Sequence, residues 1–126
     1  MNEMKDLFNI VKQKVERDQQ GTWSKGSITY FNAMFDELKE VKEEIKPGRQ
    51  CYLEDELGDV LWVYLCMIRH MEIEGKVSVD GIIHAAINKY KERMDGLNEG
   101  KSWEQIKMKQ KKEILKQQNK LNETNN

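Results

Sequence analysis

Apolar residues recur along most of this chain at steps of three and four, the spacing of one helix face, and no segment carries a β-hairpin signal. Met4, Leu7, Phe8, Val11 and Val15 predict a first helix over about residues 3–19. The polar stretch QQGTWSKGS breaks the pattern. Ser27 is placed to cap a second helix, whose apolar stripe is Phe31, Met34, Phe35, Leu38, Val41 and Ile45, and KPGR at 46–49 stops it near Pro47 and Gly48. A third helix, over about 51–74, carries Leu53, Leu57, Val60, Leu61, Tyr64, Met67, Ile68 and Met71. Further apolar residues on its neighbouring faces make it the predicted most buried element, and Gly75 ends it. Ser78 or Asp80 caps a fourth helix built on Ile82, Ile83, Ala86, Tyr90 and Met94, which finishes near DGLNEG. Ser102 followed by Gln105 opens a fifth, with only a thin stripe of Trp103, Ile106, Ile114 and Leu121 and an end expected to fray. The pattern predicts an all-α fold without β-sheet: a four-helix bundle core over residues 1–100 and a lysine-rich C-terminal helix or frayed tail over 101–126.

Composition agrees with this. Among 126 residues, 34% are charged and 38% hydrophobic with a single proline, a mixture that favours helices, and the length suits one core. A net charge of −1 excludes a global attraction to nucleic acid or anionic membrane, but the charges are unevenly spread. Residues 36–59 hold nine acids against four bases, while 101–120 hold seven lysines against two glutamates. That basic helix lacks interleaved aromatics and arginines, so solvation explains it better than nucleic-acid binding. Cys51 and Cys66 would lie about four turns apart on one helix, too far for a disulfide, and form no zinc-type pair. The N-terminus is charged and amphipathic rather than a signal peptide, and the longest apolar run, Val60 to Ile68, is far too short to span a membrane. A cytoplasmic protein is expected.

Chemistry enters through two pairs of acids. Glu37 and Glu40 share a face of the second helix, and Glu56 and Asp59 share a face of the third, each pair along the border of an apolar stripe. An antiparallel hairpin turning about residue 48 puts Glu40 level with Glu56 and Glu37 level with Asp59. Four carboxylates so close repel one another unless a cation lies between them. Magnesium suits such a site because it is a hard ion that takes a few carboxylate oxygens, keeps waters and bridges to phosphates; no histidine or thiol joins the cluster. The ordinary explanation for one such pair is a solvated helix face paired with lysine, and Lys39 and Lys42 are available. The matched register of two pairs argues against it. Glu43 and Glu44 are rival ligands or solvated charges.

FDELKEV, fifteen intervening residues and EDELGDVLW resemble the E-x-x-E, spacer, E-x-x-D pattern of the MazG-like nucleoside triphosphate pyrophosphohydrolases, over about residues 5–95. The resemblance implies an all-α, magnesium-dependent enzyme, manganese being a substitute, that cleaves the α–β phosphoanhydride bond of a nucleoside triphosphate. It carries over Glu37, Glu40, Glu56 and Asp59 as metal ligands; Glu40 and Glu56 are the candidate catalytic residues, a carboxylate such as Glu40 being expected to activate a metal-bound water. It also implies a later helix whose lysine and arginine meet the phosphates, matched by Lys89 and Arg93 in NKYKERM. Many members show Asn, one residue, Lys and a paired Arg-Arg, whereas here Asn88 directly precedes Lys89 and Glu92 precedes Arg93, with Lys91 an alternative contact.

Gly58, inside E-L-G-D, leaves room either for a phosphate or for close helix packing. Trp23 and Trp62 are candidates to stack on a base, although tryptophans of a bundle more often fill its core. His70 and His84 are expected to be structural or surface residues rather than catalytic bases. The apolar surplus of the third helix points to a homodimer or homotetramer, as does the resemblance. Two rival functions are a phosphoribosyl-ATP pyrophosphohydrolase and a non-enzymatic helical binding module.

Overall fold

A computed structural model describes residues 2–125. Five helices follow in order: α1 (Glu3–Gln20), α2 (Ser27–Glu43), α3 (Gln50–Ile73), α4 (Val79–Asn98) and α5 (Trp103–Asn125). There is no strand among the described residues, and none of their helices is long and apolar enough to cross a membrane. The chain divides into two compact units, the first ending at Val79 and the second beginning at Asp80.

In the first unit α1 and α2 both pack on α3. The end of α3 meets the start of α2 through Glu74 and Ser27, so these two helices are antiparallel. Asp18 near the end of α1 meets His70 near the end of α3, so those two run the same way. Val11 and Val15 are fully buried, together with Cys66, and Val63, Leu65 and Ile68 complete an apolar core around the C-terminal half of α3. Burial pushes the Cys66 thiol up to about 11, so it stays an inert core group, and Cys51 is exposed and also free.

One buried carboxylate ties all three helices. Asp18 accepts hydrogen bonds from Lys14 Nζ and Tyr30 Oη, and His70 Nε2 lies 3.1 Å from its Oδ2. Tyr30 stacks on the His70 ring at 5.3 Å. Burial pushes the Asp18 carboxyl up, but the hydrogen bonds from Lys14, Tyr30 and His70 outweigh it and hold the group below its ordinary value. His70 is therefore structural, a polar tie inside an otherwise apolar contact.

Ser27 does not cap α2 with its own side chain, as the sequence suggested; it is the first helical residue, and the cap comes from Glu74. Ser27 donates from its backbone N–H to Glu74 Oε2 at 2.8 Å and from Oγ to Oε1 at 2.7 Å. These bonds hold the Glu74 carboxyl down at about 2. Gly26, at φ +93°, makes the approach possible: a Cβ there would sit 2.6 Å from Glu74 Oε2. Two residues earlier on α3, Glu72 accepts the N–H of Val79, the first residue of α4, at 2.8 Å. Acids at the end of one helix thus satisfy orphan donors at the starts of two others.

In the second unit α4 and α5 are joined at Gly96, where an added Cβ would lie 2.4 Å from Ile106 Cδ1. The predicted capping pair forms: Ser102 Oγ accepts from Gln105 N–H and Gln105 Oε1 accepts from Ser102 N–H, both at 3.1 Å. Of the two forms expected for this segment the structure has the helix rather than an irregular tail: α5 runs through Asn125. The helix is not wholly solvated. Ile106 and Gln110 are buried, whereas Ile114 and Leu121 from the same predicted stripe stay exposed.

Candidate metal centre

Glu37 and Glu40 project from α2 and Glu56 and Asp59 from α3, each pair three residues apart and so on one helical face. Because α2 and α3 are antiparallel around the turn at Gly48, the pairs meet: one ligand oxygen from each of the four lies within 4.8 Å of the others. Glu37 and Glu56 are half-buried, and Glu40 and Asp59 are exposed, so the cluster opens to solvent on one side. Oε2 of Glu37 and Oε2 of Glu56 are shut off from water without a hydrogen-bond partner. Burial, followed by the neighbouring carboxylates of Glu40, Asp59 and Glu56, pushes Glu37 up to about 7. Glu56 is raised by burial and then by Glu40, Asp59 and Asp55.

Among the described residues no lysine or arginine comes within ion-pair distance of the four, so pairing with Lys39 or Lys42 does not offset their charge. Glu44 is removed as a rival ligand because Arg49 holds it with two hydrogen bonds, of 2.9 and 3.2 Å, that close the α2–α3 turn. Glu43 is exposed and lies outside the cluster. Two orphaned oxygens facing further carboxylates are what a hard divalent cation would satisfy, and an all-oxygen set with solvent access fits such an ion.

Compared with known families, residues 25–97 match the MazG nucleotide pyrophosphohydrolase domain. The chain belongs to that family. No curated protein and no solved structure gives a significant match. The MazG match spans α2 and α3 with all four carboxylates and nearly the whole of α4, and it leaves out α1 and α5.

The residues read as substrate contacts of a MazG enzyme are distributed between the two units. Trp23 lies in the loop after α1, largely exposed, edge-on to Tyr30 at 5.8 Å and with Lys14 Nζ 4.3 Å from its ring centre. Trp62 is half-buried on α3. Asn88 and Lys89 are exposed on α4, with Lys89 Nζ 5.6 Å from the Tyr90 ring. Arg93 is buried, its guanidinium 4.7 Å from the Trp103 ring and 5.3 Å from that of Tyr90. His84 and Lys91 are exposed on the same helix. Gly58 does not serve close helix packing, since a Cβ there meets nothing within 4 Å. Sequence reasoning missed Gln110, whose amide bonds Arg93; one glutamine within KMKQKK carries no signal that it is buried.

Proposed function

We propose that the chain is a magnesium-dependent nucleoside triphosphate pyrophosphohydrolase of the cytoplasm that cleaves between the α and β phosphates to give a monophosphate and pyrophosphate. The observation that carries this reading is the pair of orphaned, buried oxygens on Glu37 and Glu56 inside a four-carboxylate cluster, in a chain of the MazG family. Glu37, Glu40, Glu56 and Asp59 would hold the ion. Magnesium, when bound, supplies positive charge to the phosphate oxygens and to an attacking water, and manganese would substitute for it.

The remaining steps belong to the chain's own groups. Water attacks the α-phosphorus, the bond to the α–β bridging oxygen breaks, and pyrophosphate leaves with its electrons. Glu40, the exposed member of its rung, takes the proton the water loses. Glu56, its level partner, fixes the geometry through a carboxylate withdrawn from solvent. Lys89 and Arg93 offset the charge of the phosphate chain, with Asn88 beside them. Trp23 and Trp62 are the proposed stacking surfaces for the base.

The proposed assembly is a homodimer or homotetramer. Supporting it, Phe31, Phe35 and Leu38 on α2 and Leu57, Leu61 and Tyr64 on α3 form exposed apolar stripes. A screen of standard and modified ribo- and deoxyribonucleoside triphosphates, with magnesium and detection of pyrophosphate, tests the reading. Monophosphate and pyrophosphate from at least one substrate are expected, lost in Glu56→Gln while the circular dichroism spectrum is retained. No hydrolysis of any triphosphate would overturn it.

A further inference from the structure

Arg93 is 6% exposed, yet no carboxylate among the described residues lies within ion-pair distance of it. Arginine is rarely buried without a counter-ion, because the lost hydration is recovered only through a partner charge. Its neighbour Glu92 is engaged elsewhere: Oε2 takes Lys109 Nζ at 3.0 Å and Oε1 takes Gln110 Nε2 at 2.9 Å. The aromatic faces of Trp103 and Tyr90 supply attraction without neutralising the charge.

What fixes Arg93 comes from α5. Gln110, 8% exposed, accepts from Arg93 Nε at 2.8 Å and donates through Nε2 to the Lys89 carbonyl at 2.9 Å as well as to Glu92. The amide orientation is dictated by its partners, since a guanidinium can only donate and a carbonyl and a carboxylate can only accept. With Nε committed, the two terminal nitrogens of Arg93 have no hydrogen-bond acceptor among the described residues. A guanidinium locked at Nε, with its fork free, has the geometry that meets two oxygens of a phosphate. Arg93 lines a groove of about 750 Å³ between α4 and α5, into which Lys89, Lys107 and Lys111 also border. Of the acids bordering it, Glu92 is neutralised as described and Glu113 lies 3.6 Å from Lys109.

We infer that Gln110 is the positioning residue that aims Arg93 at a polyphosphate, and that α5, outside the family match, forms the second wall of that anion site. This rests on the reading that Lys89 and Arg93 meet the phosphates of the substrate. Inorganic tripolyphosphate, titrated calorimetrically into the full chain without metal, tests it independently of hydrolysis. Gln110→Met, which keeps the side-chain length but removes the acceptor, is expected to weaken binding about tenfold. Arg93→Lys, which cannot be gripped at Nε, is expected to weaken it similarly. The double variant should bind no more weakly than Arg93→Lys alone, because Gln110 acts through Arg93.

Additive losses, or unchanged binding in Gln110→Met, would overturn the inference. A general loosening of the hairpin would lower the melting temperature equally in both backgrounds and give no such coupling; Gln110→Leu repeats the comparison if Gln110→Met does not fold. Coupled tripolyphosphate binding in a chain that hydrolyses no triphosphate would sink the proposed reaction while leaving the anion site in place. Hydrolysis without coupling would do the reverse.

Discussion

Glu37 and Asp18 are both carboxylates withdrawn from water, and their neighbours drive them in opposite directions. Asp18 is surrounded by donors, Glu37 by other acids. Removing the charge of Glu37 in the metal-free chain should therefore help the fold: Glu37→Gln is expected to stabilise it by about 1 kcal/mol, discounted for the partial solvation of the cluster. The same change should cut pyrophosphate release at least on the order of 100-fold. Thermal melts with and without magnesium, beside the hydrolysis assay, check both halves. Asp18→Ala should cost about 3 kcal/mol at neutral pH, since it strands Lys14, Tyr30 and His70 around a missing acceptor. Asp18 has a depressed value in the folded state, so its contribution is complete above the ordinary aspartate range and fades as pH falls through the depressed value. The gap in urea midpoint between the two proteins should accordingly narrow below about pH 4.

At the scale of elements, the helices and the clustering of the four carboxylates were legible because both depend on spacing along one chain segment. Glu37 and Glu40, like Glu56 and Asp59, are local i,i+3 pairs, and the short turn at Gly48 sets their register. What the spacing could not reveal was which helix supplies a partner to another. Nothing near Ser27 announces that its cap is Glu74, forty-seven residues on. The apolar stripes were also only half informative: Met34 and Val41 turn inward on α2, but Phe31, Phe35 and Leu38 remain exposed. Periodicity identifies an apolar face, and which part of it the same chain covers depends on packing. Gly58 sits mid-helix in open space, so Gly58→Ala should raise the unfolding free energy, measured by urea denaturation, by roughly 0.5–1 kcal/mol. If substrate uses that space, the same variant will show a higher KM for triphosphate; an unchanged KM would remove Gly58 from the site.

On the scale of the whole molecule, the exposed stripes lie on the far sides of α2 and α3 from the carboxylates, as the ~100° step per residue requires. Assembly and metal binding should therefore be separable by mutation. Phe35→Glu with Leu61→Lys is expected to reduce the mass measured by light scattering to that of one chain, with magnesium affinity, followed by calorimetry, within about threefold of the parent. A parent that already elutes as one chain would defeat the assembly proposal. The last turn of α3 has a consequence of another kind. Glu72 and Glu74 secure the first amides of α4 and α2, so those amides can exchange with solvent only when that single turn opens. In a deuterium-exchange experiment the amides of Ser27 and Val79, fifty-two residues apart in sequence, should exchange with one shared rate. Glu74→Gln should uncouple the first while leaving the second slow, marking the turn as a clasp in the native-state dynamics.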